Sequence, residues 1–149
     1  GVFKGFSAYY CHNTHVAQVA EVELEDGYPI VKKVICAVDC GILVNPIGGN
    51  NQAVGGIIDG IGHAMYGDFE FKKGVPNSKN FDKFELIRMN QTPKVEVHFV
   101  KNDFSPTGLG EPTLPPVGAA ISNAIYKAMG VRLYKQPFSK ELKLKNIIG

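Results

Sequence analysis

Between Gly49 and Tyr66 the apolar residues Val54, Ile57, Ile58, Ile61 and Met65 recur at spacings of three and four, the period of one helical face. Gly55, Gly56, Gly60 and Gly62 interrupt the same stretch. Each glycine costs a helix interior about 0.5–1 kcal/mol relative to alanine. A chain that keeps them there must bring something close to the helix backbone, either a packed neighbour or a bound ligand. The spacing therefore predicts a helix over residues 49–66 and a fold arranged around its close contacts.

The flanking segments supply β-structure. Val2 to Phe6 reads as strand from the start of the chain, and Thr14 to Leu24 sets Val16, Val19, Ala20, Val22 and Leu24 among polar Gln18, Glu21 and Glu23. Asp26 and Gly27 form a turn signal ahead of a second β-rich run, Ile30 to Val38, and the two runs read as a hairpin. A further turn falls at Lys73 and Gly74. Val95, Val97 and Phe99 alternate with Glu96 and His98, predicting a strand over 94–101 with one polar face. Ala120, Ile121, Ala124, Ile125 and Ala128 predict a second helix over 117–129, ended by Gly130. Beyond Pro137 a short helix holding Leu142, capped by Ser139, is the reading of the tail. Strands and helices alternate without regular βαβ units, which predicts an α+β fold: one domain over 1–149, a mixed or antiparallel sheet and two main helices.

Composition narrows the functional classes. With 44% hydrophobic and 20% charged residues, the 149-residue chain has a real core. The net charge of +2 has a basic bias only between Arg132 and Lys145, too diffuse for a nucleic-acid surface. No apolar run approaches the roughly 20 residues of a membrane span, since Asp59 and His63 interrupt the best candidate. Cys11, Cys36 and Cys40 leave one thiol unpaired in any disulfide scheme and read as buried free thiols. The chain opens at Gly1 directly in strand, so it reads as a piece of something longer, with any export signal outside it and no compartment assigned.

The chemistry-bearing stretch is Gly108, Leu109, Gly110, Glu111, Pro112. Flanking glycines expose backbone N–H groups, and Pro112 and Pro115 stiffen the loop, so the Glu111 carboxylate can be aimed with little entropy left to lose. It sits just ahead of a helix N-terminus, a placement suited to a base or to anion handling. The histidines offer no cluster: His12 and His15 fall on opposite faces of an extended strand, and His63 and His98 on separate elements. Cys36 and Cys40 have no matching pair, so neither zinc nor an iron–sulfur cluster is indicated. The helix glycines do not form a dinucleotide fingerprint, and neither a phosphate-loop lysine nor a nucleophile elbow occurs.

Taken in order, THVAQVAEVE (14–23), VICAVDCGILVNP (34–46), QAVGGIIDGIG (52–62), Phe84 to Met89 with Val95 to Val100, and GLGEP (108–112) resemble the C-terminal part of the molybdopterin-binding subunit of the xanthine dehydrogenase and aldehyde oxidase family, above all its isoquinoline 1-oxidoreductase β-subunit type. The resemblance implies a fragment of a molybdenum-cofactor-binding domain belonging to a hydroxylase that places water-derived oxygen on an N-heterocycle or aldehyde. It implies Glu111 as the active-site base and Gln52 as a contact to the molybdenum cofactor, with Gly55, Gly108 and Gly110 exposing backbone to the pterin. It also implies that iron–sulfur clusters sit on a separate small subunit and that the rest of the subunit completes the site. The 149 residues alone are then expected to hold no cofactor tightly and to have no turnover. Ala53 and Val54 depart from the methionine or leucine and the glutamate frequent in the family, and Thr113 from its glycine or proline, without removing a residue assigned to chemistry.

Two further readings stay open on the residues. One is a non-catalytic structural or interaction domain in which GLGEP is a rigid turn. The other is a carboxylate hydrolase pairing Glu111 with Asp39 or Asp59, active without metal.

Overall fold

In the computed structural model, which describes residues 1–148, the chain begins with a meander: β1 (Phe3–Cys11), β2 (Thr14–Glu25) and β3 (Tyr28–Asp39), paired antiparallel in sequence order. Both connections are two-residue turns with positive φ at each central position, His12 (52°) and Asn13 (60°), then Asp26 (50°) and Gly27 (81°). That is the geometry whose twist matches antiparallel strands. The predicted hairpin is present, and the opening strand runs on to Cys11. His12 is therefore a turn residue and not, as the spacing suggested, a strand residue facing away from His15.

After β3 the chain crosses over through helix α1 (Pro46–Met65), which Asn45 caps by accepting from the Gly48 N–H at 3.0 Å. Pro46 at the first helical position explains why the helix starts ahead of residue 49. A small hairpin, β4 (Phe71–Lys72) with β5 (Val75–Pro76), follows, and then β6 (Lys94–Phe99) joins the main sheet beside β3 in parallel, giving the order β1-β2-β3-β6. The sheet is thus mixed, within the α+β class expected. Phe81 to Arg88 forms no strand.

Helix α2 (Pro115–Met129) ends on Gly130 at φ 71°, and α3 (Phe138–Leu144) closes the described chain. Ser139 does not cap α3; it lies inside the helix, because the helix starts at Phe138 after Pro137. Helices α1 and α2 cover one face of the sheet. The core interleaves Val16, Ala20, Val22, Val34, Cys36 and Val38 of the sheet with Ile57, Ile61 and Met65 of α1 and Val117, Ile121, Ala124 and Ile125 of α2. Gly5 lets α2 ride on β1, since a Cβ there would lie 2.0 Å from Ala120 O. Among the described residues no helix is long and apolar enough to cross a membrane.

Candidate functional site

The GLGEP loop crosses the N-terminal half of α1, and the glycines of that helix are what admit it. A Cβ on Gly56 would lie 2.6 Å from Gly110 O and one on Gly60 2.5 Å from Leu114 O, while one on Gly49 would lie 2.5 Å from Leu43 Cδ1 and 3.1 Å from Leu109 Cδ2. These distances are far inside ordinary contact, so the helix presents bare backbone where residues 109–114 pass. Close packing thus explains Gly49, Gly56 and Gly60. Gly55 is different: it is exposed, with nothing within 4 Å of its Cβ position.

Gly110 takes φ +107°, open to glycine, and its Cβ position lies 2.8 Å from Oε1 of Gln52 on α1. The fold therefore brings Gln52 against the residue next to Glu111, although the two are far apart in sequence. Glu111 opens a 3₁₀ turn, Glu111–Thr113, ahead of α2. Inside that turn Thr113 is fully buried, and its hydroxyl lies 2.8 Å from Gly110 O and 3.1 Å from Ala53 O, either of which takes its proton. A threonine here ties the loop to α1, a task that glycine or proline cannot perform.

Gln18 of β2, one of the polar residues interspersed along that strand, is part of the same support. It is completely buried, at the inward parity of Val16, Ala20 and Val22. Its Nε2 donates to Thr113 O at 2.7 Å and reaches Cys36 Sγ at 3.6 Å, while Oε1 is buried without a partner. A glutamine at a core position of an alternating strand was the available signal. Burial pushes the Cys36 thiol up to about 11, against a smaller opposing effect of the hydrogen bond with Gln18.

From the other side the loop is fastened to the β1–β2 turn. Gly108 N–H donates to His12 O at 3.1 Å, the Thr14 hydroxyl donates to Gly108 O, and Thr14 and Thr107 hydroxyls pair at 2.7 Å. Gly108 must be glycine, since a Cβ would lie 2.4 Å from His12 Cβ. The Glu111 carboxylate meets His12, with Oε2 3.1 Å from Nε2. The chain alone does not bury this carboxylate; the Glu111 side chain is 86% exposed and that of His12 56%.

Among the described residues Glu111 pairs with His12 and not with Asp39 or Asp59. Asp39 accepts from Asn102 Nδ2 at 2.5 Å, and Asp59 pairs with His63 at 3.6 Å on α1. Among the described residues no group of three or more histidines, cysteines or acids could hold a metal ion, and the three cysteines are free, with Cys36 and Cys40 buried. Gln52 and Gly55 are exposed on α1 beside the loop, whereas Gly110 is buried and the Gly108 N–H and C=O are already bonded to His12 and Thr14. The exposed Gln52 amide, which both donates and accepts, fits a polar group held through neutral hydrogen bonds rather than a bare ion held by charged ligands.

A model of the molybdopterin cofactor-binding domain matches residues 3–93, which takes in the meander and α1 but stops short of the GLGEP loop. Similar curated proteins include the "Membrane-bound aldehyde dehydrogenase [pyrroloquinoline-quinone]" of Gluconacetobacter polyoxogenes, 35% identical over 82% of this chain and 16% of that protein. Another is "Isoquinoline 1-oxidoreductase subunit beta" of Brevundimonas diminuta, 35% identical over 87% of this chain and 17% of that one. The solved "Aldehyde Oxidoreductase from Desulfovibrio gigas" superposes with a TM-score of 0.73 and 28% identity, over 91% of this chain and 17% of that one. The chain spans only 12–19% of the length of the curated relatives.

Proposed function

The chain belongs to the molybdopterin cofactor-binding domain family, and on that premise we propose that it is one segment of the larger subunit of a molybdenum hydroxylase, with Glu111 as the base that takes a proton from the water-derived hydroxyl placed on the substrate. The observation that carries the reading is the meeting of two distant sequence elements: Gln52 on α1 lies against Gly110, the residue that precedes Glu111. When bound, the molybdenum cofactor supplies the redox chemistry, accepting the electron pair removed from the substrate.

The residues of this chain do the rest. Gln52 offers its amide donor and acceptor and exposed Gly55 leaves open space beside it for a polar group, while Gly108 and Gly110 shape the loop that carries Glu111 next to them. Glu111 is held on a loop whose conformation Pro112, Thr113 and Gln18 fix, so its carboxylate needs little reorganisation to take up a proton. A base also benefits from a dry surrounding. This chain leaves Glu111 exposed, which fits a site whose other walls come from the remainder of a longer subunit. An aldehyde or an electron-poor N-heterocycle is the substrate class in this reading, and a small iron–sulfur subunit its electron partner. The chain by itself then holds no molybdenum and turns nothing over.

The test is Glu111→Gln in the full-length protein, which preserves size and hydrogen bonding while removing the basic oxygen. Turnover falls by about 10²–10⁴ while molybdenum content, measured by elemental analysis, is unchanged. Retained turnover would assign GLGEP to the rigid-turn reading. Because one relative is named for pyrroloquinoline quinone, the same elemental analysis also decides the cofactor.

A further inference from the structure

We propose that His12 is a positioning residue for Glu111, holding its carboxylate in one direction from the β1–β2 turn; this rests on the reading of Glu111 as the base. The geometry is built and not incidental. His12 and Asn13 occupy a two-residue turn in the left-handed region, and the strands pair on either side of it at Cys11 and Thr14. The turn is locked to the GLGEP loop by Gly108 N–H to His12 O at 3.1 Å and by the Thr14 hydroxyl to Gly108 O. The absent Cβ of Gly108 makes room for the His12 Cβ. With its backbone so placed beside Gly108, the imidazole sets Nε2 3.1 Å from Glu111 Oε2.

Nε2 carries a hydrogen in the imidazolium and in one of the two neutral tautomers, so it can donate to Oε2 without being charged. An exposed contact of this kind adds little stability. Its consequence is directional. A glutamate side chain has several rotatable bonds, and a carboxylate with one oxygen held presents the other along a fixed line, whereas an untethered one samples several. Catalysis is sensitive to such placement, a misplacement of about 1 Å being worth up to about 10²-fold.

The variants must respect the turn. Alanine is strained at φ +52°, whereas asparagine tolerates that region. His12→Asn therefore keeps the turn but is too short to reach Oε2; His12→Gln has an amide nitrogen at about the reach of Nε2 but bears the same positive-φ strain as alanine, so unchanged molybdenum content checks that its turn is intact. In the full-length, cofactor-loaded enzyme His12→Asn is expected to lower kcat about tenfold at unchanged KM and molybdenum content, and His12→Gln to restore most of the loss. Crystal structures of the same full-length proteins give a second readout independent of turnover: Glu111 in one conformer in the wild type and in His12→Gln, and in several in His12→Asn. Wild-type kcat with a single Glu111 conformer in His12→Asn overturns the proposal, and so does loss of molybdenum in that variant, which would mark a purely structural turn. Failure of the base reading is distinguishable, because there Glu111→Gln itself retains turnover.

Discussion

Adjacent glycines on α1 should respond to the same substitution with opposite signs. At Gly56 a Cβ would stand 2.5 Å from Thr113 Oγ1 and 2.6 Å from Gly110 O, whereas at Gly55 it would meet nothing within 4 Å. Alanine in place of glycine gains about 0.5–1 kcal/mol in a helix interior wherever space allows. Gly55→Ala should therefore stabilise the chain by about that amount. Gly56→Ala collects the same gain but forces the GLGEP loop outward, because Gly110 O is backbone and cannot rotate away, and overpacking of this kind costs about 1–3 kcal/mol. The displaced turn also strains the Thr113 links to Ala53 and Gly110. The two variants should differ by about 1–3 kcal/mol, or about 2–4 °C in Tm for each kcal/mol at this chain length. Urea unfolding of both, with equal slopes, measures the difference. Equal midpoints would refute the claim that α1 lacks a side chain at Gly56 because the loop occupies its place.

Further outcomes follow from the same coordinates. Glu96 is held down to about 2 by hydrogen bonds from Lys94 first and then Lys33. Its folded value lies below the ordinary one of 4.5, so its ion pairs add stability above about pH 4.5, and that stability is lost as pH falls toward 2. In Glu96→Gln, thermal melts should show a shallower decline across that window, and an unchanged acid limb would count against the pairing. Thiol labelling followed by mass spectrometry should modify half-exposed Cys11 first. Cys36, buried and pushed up to about 11, should react only on unfolding. Equal labelling rates for the two would contradict the burial of Cys36 in the core.

Where the pattern was local, the residues announced the structure. Asp26-Gly27 marks its own turn because glycine supplies the positive φ, and the three-and-four spacing of Ile57, Ile61 and Met65 marks the buried side of α1. His12-Asn13 forms the same kind of turn without a glycine, so its left-handed pair carries little composition signal and the sequence reads as continuous strand through it. Gln18 shows the converse: its inward parity was visible in the alternation, but the carbonyl that justifies a buried amide lies on Thr113, beyond the reach of any local pattern. The site divides similarly. GLGEP identified a stiffened carboxylate, and its family likeness pointed to Gln52. The contacts of His12 and Thr113 depend on how α1, β2 and the loop come together, which no single segment encodes.

The parallel pairing of β3 with β6 has a consequence for the order in which the protein is born. Emerging from the ribosome, β1, β2 and β3 can zip together through neighbouring turns, but their inner face must wait for α1, and then for a helix that begins only at Pro115. A nascent chain paused after Phe99 would display Ile57 and Ile61 with no Val117 or Ile121 to meet them, an inviting target for a chaperone. Glu111 arrives with the same stretch of polypeptide that seals the interior.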